Sequence, residues 1–107
     1  MKKSEQMAIN AKVKAVVDDF YKCEEYTESL GRLRSCTASV FRQGKYIYLQ
    51  SYRTIIAVID TDTDTLYDFL RLVYGYTSTS AQHIAKFRHD YGAGKWGCEY
   101  ELRYYPV

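Results

Sequence analysis

The sequence predicts an α+β domain: an antiparallel β-sheet of about five strands with two helices packed on one face, in the order αββββαβ. Three observations predict it. Ile9, Val13, Val16 and Phe20 recur at helical spacing near the N-terminus. From Ser35 the period changes to two, in successive runs that reach Ile59. A second helical stripe, Ile84, Phe87 and Tyr91, then precedes a last alternating run. The chain has 107 residues, which suits a single domain over 1–107. A domain of this size buries roughly 65% of its unfolded surface, enough for one core without staples.

The first helix is expected from residue 4 to about 28, with Ser4 as N-cap and Gly31 as its stop signal. Lys12, Lys14, Asp18, Asp19 and Lys22 lie largely off its apolar stripe. Cys36, Ala38 and Val40 then alternate with Thr37, Ser39 and Phe41. Arg42-Gln43-Gly44-Lys45 forms a tight turn, and Tyr46-Ile47-Tyr48-Leu49 resumes the alternation as a hairpin. The third run spans Tyr52 to Ile59. Ile55, Ala57 and Ile59 share one face, and Ile56 and Val58 take the other. With both faces apolar, this strand belongs in the middle of the sheet.

Asp60-Thr61-Asp62-Thr63-Asp64 suits a turn, because short Asp and Thr side chains bond to nearby backbone. It is no calcium loop of the EF-hand type. That loop needs glycine at its sixth position and glutamate at its twelfth, where this chain has Thr65 and Arg71. Thr65 to Tyr74 fits both a strand and a helix, and its place after the Asp-rich turn favours a strand returning beside the third. Thr77 to Ser80 offers several N-caps for a second helix from about Ser80 to Tyr91, ended by Gly92 and Gly94. Trp96 to Tyr105 reads as the last strand. Cys98, Tyr100, Leu102 and Tyr104 take one face; Glu99, Glu101 and Arg103 take the other.

Composition narrows the function. No apolar run approaches the ~20 residues that cross a bilayer, so no membrane is expected. The N-terminal Met1-Lys2-Lys3-Ser4-Glu5-Gln6 turns polar where a signal peptide would turn apolar, which predicts a cytosolic protein. Fifteen Lys and Arg face thirteen Asp and Glu, a formal charge of +2. That is too balanced for an electrostatic nucleic-acid footprint, and wrong in sign for an acidic DNA mimic. Twelve tyrosines stand out. Tyrosine joins a large ring, a hydrogen-bonding tip and few rotatable bonds, which suits either an interface or the margins of a small core.

Catalytic signatures are missing. There is no Gly-x-Ser-x-Gly, and a Cys98–His83 pair is possible only formally, since nothing local lowers a thiol pKa. The chain is therefore expected not to be an enzyme. Gly92-Ala93-Gly94-Lys95 is like the tail of a phosphate-binding loop. No strand leads directly into it, however, and no Ser or Thr follows the lysine. The odd count of Cys23, Cys36 and Cys98 argues for reduced thiols rather than a disulfide framework. No cofactor is expected. The alternative is a zinc set of Cys23, Cys36, Cys98 and His83, because His83 and His89, about 600° apart on one helix, point to different sides. No Cys-x-x-Cys supports it.

Partner contacts are expected at Tyr46, Tyr48, Tyr52 and Arg53, where rings sit near positive charge. With Arg42 and Lys45 the same face is the alternative site for stacking nucleic-acid bases.

One stretch carries a resemblance. It comprises Ser51-Tyr52-Arg53-Thr54 leading into Ile55 to Asp60, then Thr65-Leu66-Tyr67, then Tyr76-Thr77-Ser78-Thr79-Ser80-Ala81-Gln82-His83-Ile84-Ala85-Lys86-Phe87. It resembles a family of short, uncharacterised proteins from phages and prophages of low-GC Gram-positive bacteria. In that family a Ser-Tyr-x-Thr strand leads to a Leu-Tyr strand and a Tyr-Ser-x-Thr-Thr-x-x-His-Ile-x-x-Phe helix start. This chain departs from it with Tyr-Thr-Ser-Thr-Ser before Ala-Gln-His, and with a longer segment after Leu-Tyr. The resemblance implies a phage or mobile-element protein in the cytoplasm of a bacterial host. It implies by provenance an inhibitor of host defence, most directly an anti-CRISPR protein that binds a Cas nuclease and blocks nucleic-acid loading or cleavage. Such an inhibitor, near neutral, would grip its target by shape and aromatic contact. The alternatives are a small nucleic-acid-binding regulator and a zinc-stabilised structural module.

Overall fold

Helix α1 (Lys3–Lys22) lays Val13, Val17 and Phe20 into the protein and leaves its lysines outside, as its stripe requires. The computed structural model describes residues 2–22, 27–33, 38–51, 53–75 and 77–107. After α1 come β1 (Thr27–Arg32), β2 (Ala38–Gln43), β3 (Tyr46–Ser51), β4 (Thr54–Asp60) and β5 (Thr65–Asp68). Then follow α2 (Leu70–Val73), α3 (Ser78–Tyr91) and β6 (Tyr100–Arg103). The six strands form one sheet in chain order, antiparallel except that β6 runs parallel to β5. The class is α+β, as expected.

The first helix is described as far as Lys22 and cannot reach the expected residue 28, because Thr27 already belongs to a strand. Gly31, expected to end the helix, lies inside β1 with φ of 99°. There the register with β2 shifts between Ser29 and Gly31. β1 was not legible in the sequence. It is an outer strand whose only partly buried residue is Leu30, so it carries no period-two signal.

The β2–β3 hairpin forms as expected, with Gln43 opposite Tyr46 and a two-residue connection through Gly44 and Lys45. β4 is buried on both faces, as its composition predicts, but the faces differ from simple alternation. Leu49 pairs with Ala57 and Gln50 pairs with Ile55, so Ile56 is an extra residue in β4. The bulge puts Ile56 in one core with Ala57 and Ile59. Ile55 passes to the other core beside Val58.

The Asp-rich segment is the expected turn. Asp60 Oδ1 accepts the Asp62 N–H at 3.0 Å, and Asp64 adopts φ of 50°. Thr65 to Tyr74 divides between the two readings: a strand to Asp68, then one helical turn from Leu70. The division falls where Asp68 Oδ1 accepts the Leu70 N–H at 3.1 Å. Thr77 Oγ1 caps α3 by accepting the Ser80 N–H at 3.2 Å. Ile84 and Phe87 are buried as the stripe predicts.

The last strand is shorter than Trp96 to Tyr105. Residues 92–99 form a tight loop instead, with Gly97 at φ of 109°. A Cβ on Gly92 would collide with the backbone of Gly97 and Cys98. The strand is parallel to β5 because α2 and α3 carry the chain back to the end of the sheet where β5 began.

The helices do not share one face, contrary to expectation. α3 packs Ile84 and Phe87 on Ile47, Leu49, Ala57 and Leu66. α1 packs Val13, Val17 and Phe20 on Tyr46, Tyr48, Val58 and Phe69. β3 is therefore buried on both sides, and the sheet needs a cover on each.

Candidate functional site

That layering decides the fate of the tyrosines. Tyr46 and Tyr48 are each only 8% exposed. Phe20 stands edge-on to both rings, with centroids at 6.2 Å and 4.6 Å, and Phe41 stacks on Tyr48 at 5.2 Å. These two tyrosines are core residues and present no free face to a partner, which corrects the sequence reading. The cause is their position on the α1 side of a central strand. Tyr52 lies outside the described residues. Arg53 is exposed in the turn between β3 and β4. The rings that were to alternate with Arg42, Lys45 and Arg53 on an open face are thus partly withdrawn into the protein.

The proposed zinc ligands are not gathered in what is described. Cys23 and Cys36 lie outside the described residues. Among those residues no group of three or more His, Cys, Asp or Glu is arranged to hold a metal ion. Cys98 is 3% exposed, and burial, reinforced by the nearby Asp64 carboxylate, pushes its thiol up to about 12. It is a neutral thiol at neutral pH and no nucleophile.

The exposed aromatics are elsewhere. Trp96 is 78% exposed and Tyr100 is 61% exposed. Both follow from the glycine-rich loop after α3. That loop is braced by Asp64, whose carboxylate accepts the Ala93 N–H at 2.9 Å and the Glu99 N–H at 2.7 Å. The Gly92 N–H donates to the Arg88 carbonyl and the Gly97 N–H to the Gly94 carbonyl. Cys98, buried one residue beyond Gly97, anchors the loop in the α3-side core. The result is a large apolar ring held out into solvent by a pinned backbone. The sequence signal was present, a tryptophan between Gly94 and Gly97, but it was read as the start of a strand.

A second feature lies where β5 and β6 end. A cleft of about 180 Å³ opens there between α3 and the sheet. Three arginines line it, Arg71, Arg88 and Arg103, with Asp68 and Glu101. Arg103 bridges both acids, from Nε to Asp68 Oδ2 at 3.2 Å and from NH2 to Glu101 Oε1 at 2.8 Å. Burial raises the Asp68 carboxyl above its ordinary value, against the lowering effects of the Leu70 N–H and Arg103. Arg103 is held firmly charged, chiefly by its hydrogen bond to the Tyr105 hydroxyl. The Tyr105 ring lies under both Arg71, at 4.6 Å, and Arg103, at 5.9 Å. The alternation of Glu101 and Arg103 was legible; their meeting with α3 was not.

No helix among the described residues is long and apolar enough to cross a membrane. Comparison with protein-family models, with curated proteins and with solved structures finds no match to this chain.

Proposed function

We propose that this chain is a non-catalytic binding protein that acts by occupying a surface of another protein, with Trp96 and Tyr100 as its anchors in place of Tyr46 and Tyr48. The observation that carries this reading is Trp96, 78% exposed on a loop pinned by Asp64. An exposed tryptophan on a fixed backbone loses little freedom on binding, and Trp, Tyr and Arg dominate interface hot spots. The near-neutral charge favours recognition by shape over recognition by field. The resemblance of residues 50 to about 92 to short phage proteins extends the proposal to a host defence protein as partner, most directly a Cas nuclease held back from nucleic-acid loading or cleavage.

The test uses the immobilised chain and a bacterial host lysate, with and without nuclease treatment. One protein should be retained in both cases, and Trp96→Ala with Tyr100→Ser should weaken its binding by about thirtyfold or more. The captured protein, or a purified Cas nuclease loaded with guide, is then assayed for DNA cleavage with added chain. Retention that disappears with nuclease treatment, or that the double variant leaves unchanged, overturns the reading.

A further inference from the structure

We propose that the groove between α1 and the segment from Tyr104 to Val107 binds an acidic peptide segment of another protein. One apolar side chain of that segment sits in the groove, and its carboxylates face Lys3 and Lys14. This inference does not rest on Trp96 and Tyr100, which precede and open β6, whereas the groove lies past its end. Its first ground is shape. The groove holds about 260 Å³, room for one large side chain. Met7, Ala11 and Lys14 line it from one face of α1, and Tyr104 and Val107 line it from the other side. Met7 is 54% exposed and Val107 is 62% exposed, so both walls show apolar surface to solvent. Asn10 bonds both backbone groups of Tyr105, at 2.6 Å and 3.1 Å, which fixes one wall against the other before any ligand arrives.

The second ground is charge. Residues 2–14 carry Lys2, Lys3, Lys12 and Lys14 against a single acid, Glu5. That stretch is more basic than the whole chain, whose charge is +2. Among the described residues none of these four lysines is in a salt bridge. The Lys14 ammonium lies over the Tyr104 ring at 5.6 Å, a contact that keeps its positive charge at the groove. Lys3 stands one turn before Met7 on the same face of α1. Asp18 and Asp19 come after Lys14 and do not line the groove.

The third ground is reach. Lys3 and Lys14 are about 16 Å apart along the helix axis, at ~1.5 Å per residue. About five extended residues cover that span, at ~3.3 Å each. The middle residue of such a segment falls between the levels of Met7 and Ala11. A membrane surface is broad and flat, whereas a groove of side-chain size suits a peptide.

The test is titration of the isotope-labelled full chain, followed by amide chemical shifts. The probe is a five-residue peptide blocked at both ends, with glutamate first and last, leucine in the middle and serine between. It should produce saturable shifts at Met7, Ala11, Lys14 and Tyr104 that weaken as salt is added. A peptide with lysine in place of both glutamates, and one with serine in place of leucine, should each bind about fivefold more weakly or worse. Lys14→Glu, at an exposed position, should weaken the probe by about fivefold or more. Ala11→Leu, at an exposed helix position that tolerates leucine, should fill the groove and abolish the shifts with the fold retained. No saturable shift with the acidic peptide overturns the proposal. So does equal binding of the lysine peptide, or unchanged affinity in both variants. Vesicles of phosphatidylserine and phosphatidylcholine should not carry the chain down on sedimentation. Sedimentation that Lys14→Glu abolishes would overturn the proposal in favour of a membrane surface.

Discussion

The side-chain amide of Asn10 pairs with both backbone groups of Tyr105. Its Nδ2–H donates to the Tyr105 carbonyl at 2.6 Å, and its Oδ1 accepts the Tyr105 N–H at 3.1 Å. Gln6, one turn earlier on α1, donates to Asn10 Oδ1 at 2.7 Å and to the Arg103 carbonyl at 3.0 Å. Tyr100, which opens β6, donates its N–H to the Asp64 carbonyl, and Tyr104, just past β6, donates its own to the Asp68 carbonyl, both on the β5 side. Two side chains of a helix thus satisfy backbone groups on the outer side of the chain from Arg103 to Tyr105, as a neighbouring strand would. Asn10→Ala should therefore cost about 1–3 kcal/mol, since it leaves the part-buried N–H and carbonyl of Tyr105 without their partner. Asn10→Asp should also destabilise, because it faces the Tyr105 carbonyl with an oxygen. Urea unfolding measures both, and a change below about 0.5 kcal/mol would mean the edge is held by other contacts.

Asp64 plays the matching part at the other end of β6. Asp64→Ala removes the acceptor for both Ala93 and Glu99. The expected result is faster hydrogen exchange at those two amides and lower fluorescence anisotropy of Trp96. Asp64→Asn tolerates the φ of 50° but keeps only one acceptor oxygen, so it should fall between the two. Unaltered exchange in the alanine variant would show that the glycines alone hold the loop.

Phe20→Ala tests the burial of Tyr46 and Tyr48. It removes the ring that stands edge-on to both and should cost about 3–5 kcal/mol. The near-ultraviolet circular dichroism of the tyrosines should weaken before the fold is lost. A loss under about 1 kcal/mol would place those rings at the surface after all.

Stability should depend on pH through Asp68. Burial, the largest influence, raises its carboxyl above the ordinary 3.8. The folded state then holds the proton more tightly than the unfolded chain. The stabilisation is fully present below 3.8 and is lost as pH rises through the raised folded value. Urea unfolding of the parent and of Asp68→Asn across this window measures it. The parent should gain on the variant as pH falls, and parallel curves would contradict the shift.

Cys98 should be inert in the native protein. With its thiol raised to about 12 and 3% exposed, it should resist alkylation at neutral pH until the chain unfolds. Mass spectrometry of the peptide carrying Cys98, after iodoacetamide treatment with and without urea, checks this. Rapid native labelling would show that the loop opens.

Much of the fold was legible in local pattern. The stripe Val13, Phe20 and the stripe Ile84, Phe87 face cores as their spacing requires, and the hairpin at Gly44 and the turn at Asp60 to Asp64 stand where the residues place them. The candidate sites were far less legible. Trp96 was visible but was assigned to a strand. The cleft joins residue 68 to residue 103 through α3, and no local pattern reports such a meeting.

By itself the sequence determined the class, the two long helices and most strands, because period and turn chemistry act over a few neighbouring residues. Tertiary structure alone decided what covers each face of the sheet, that β6 runs parallel to β5, and which aromatic rings reach solvent. A period of two states which residues share a face and nothing about what packs on it. Tyr46 and Tyr48 were read as exposed for that reason, and α1 buries them.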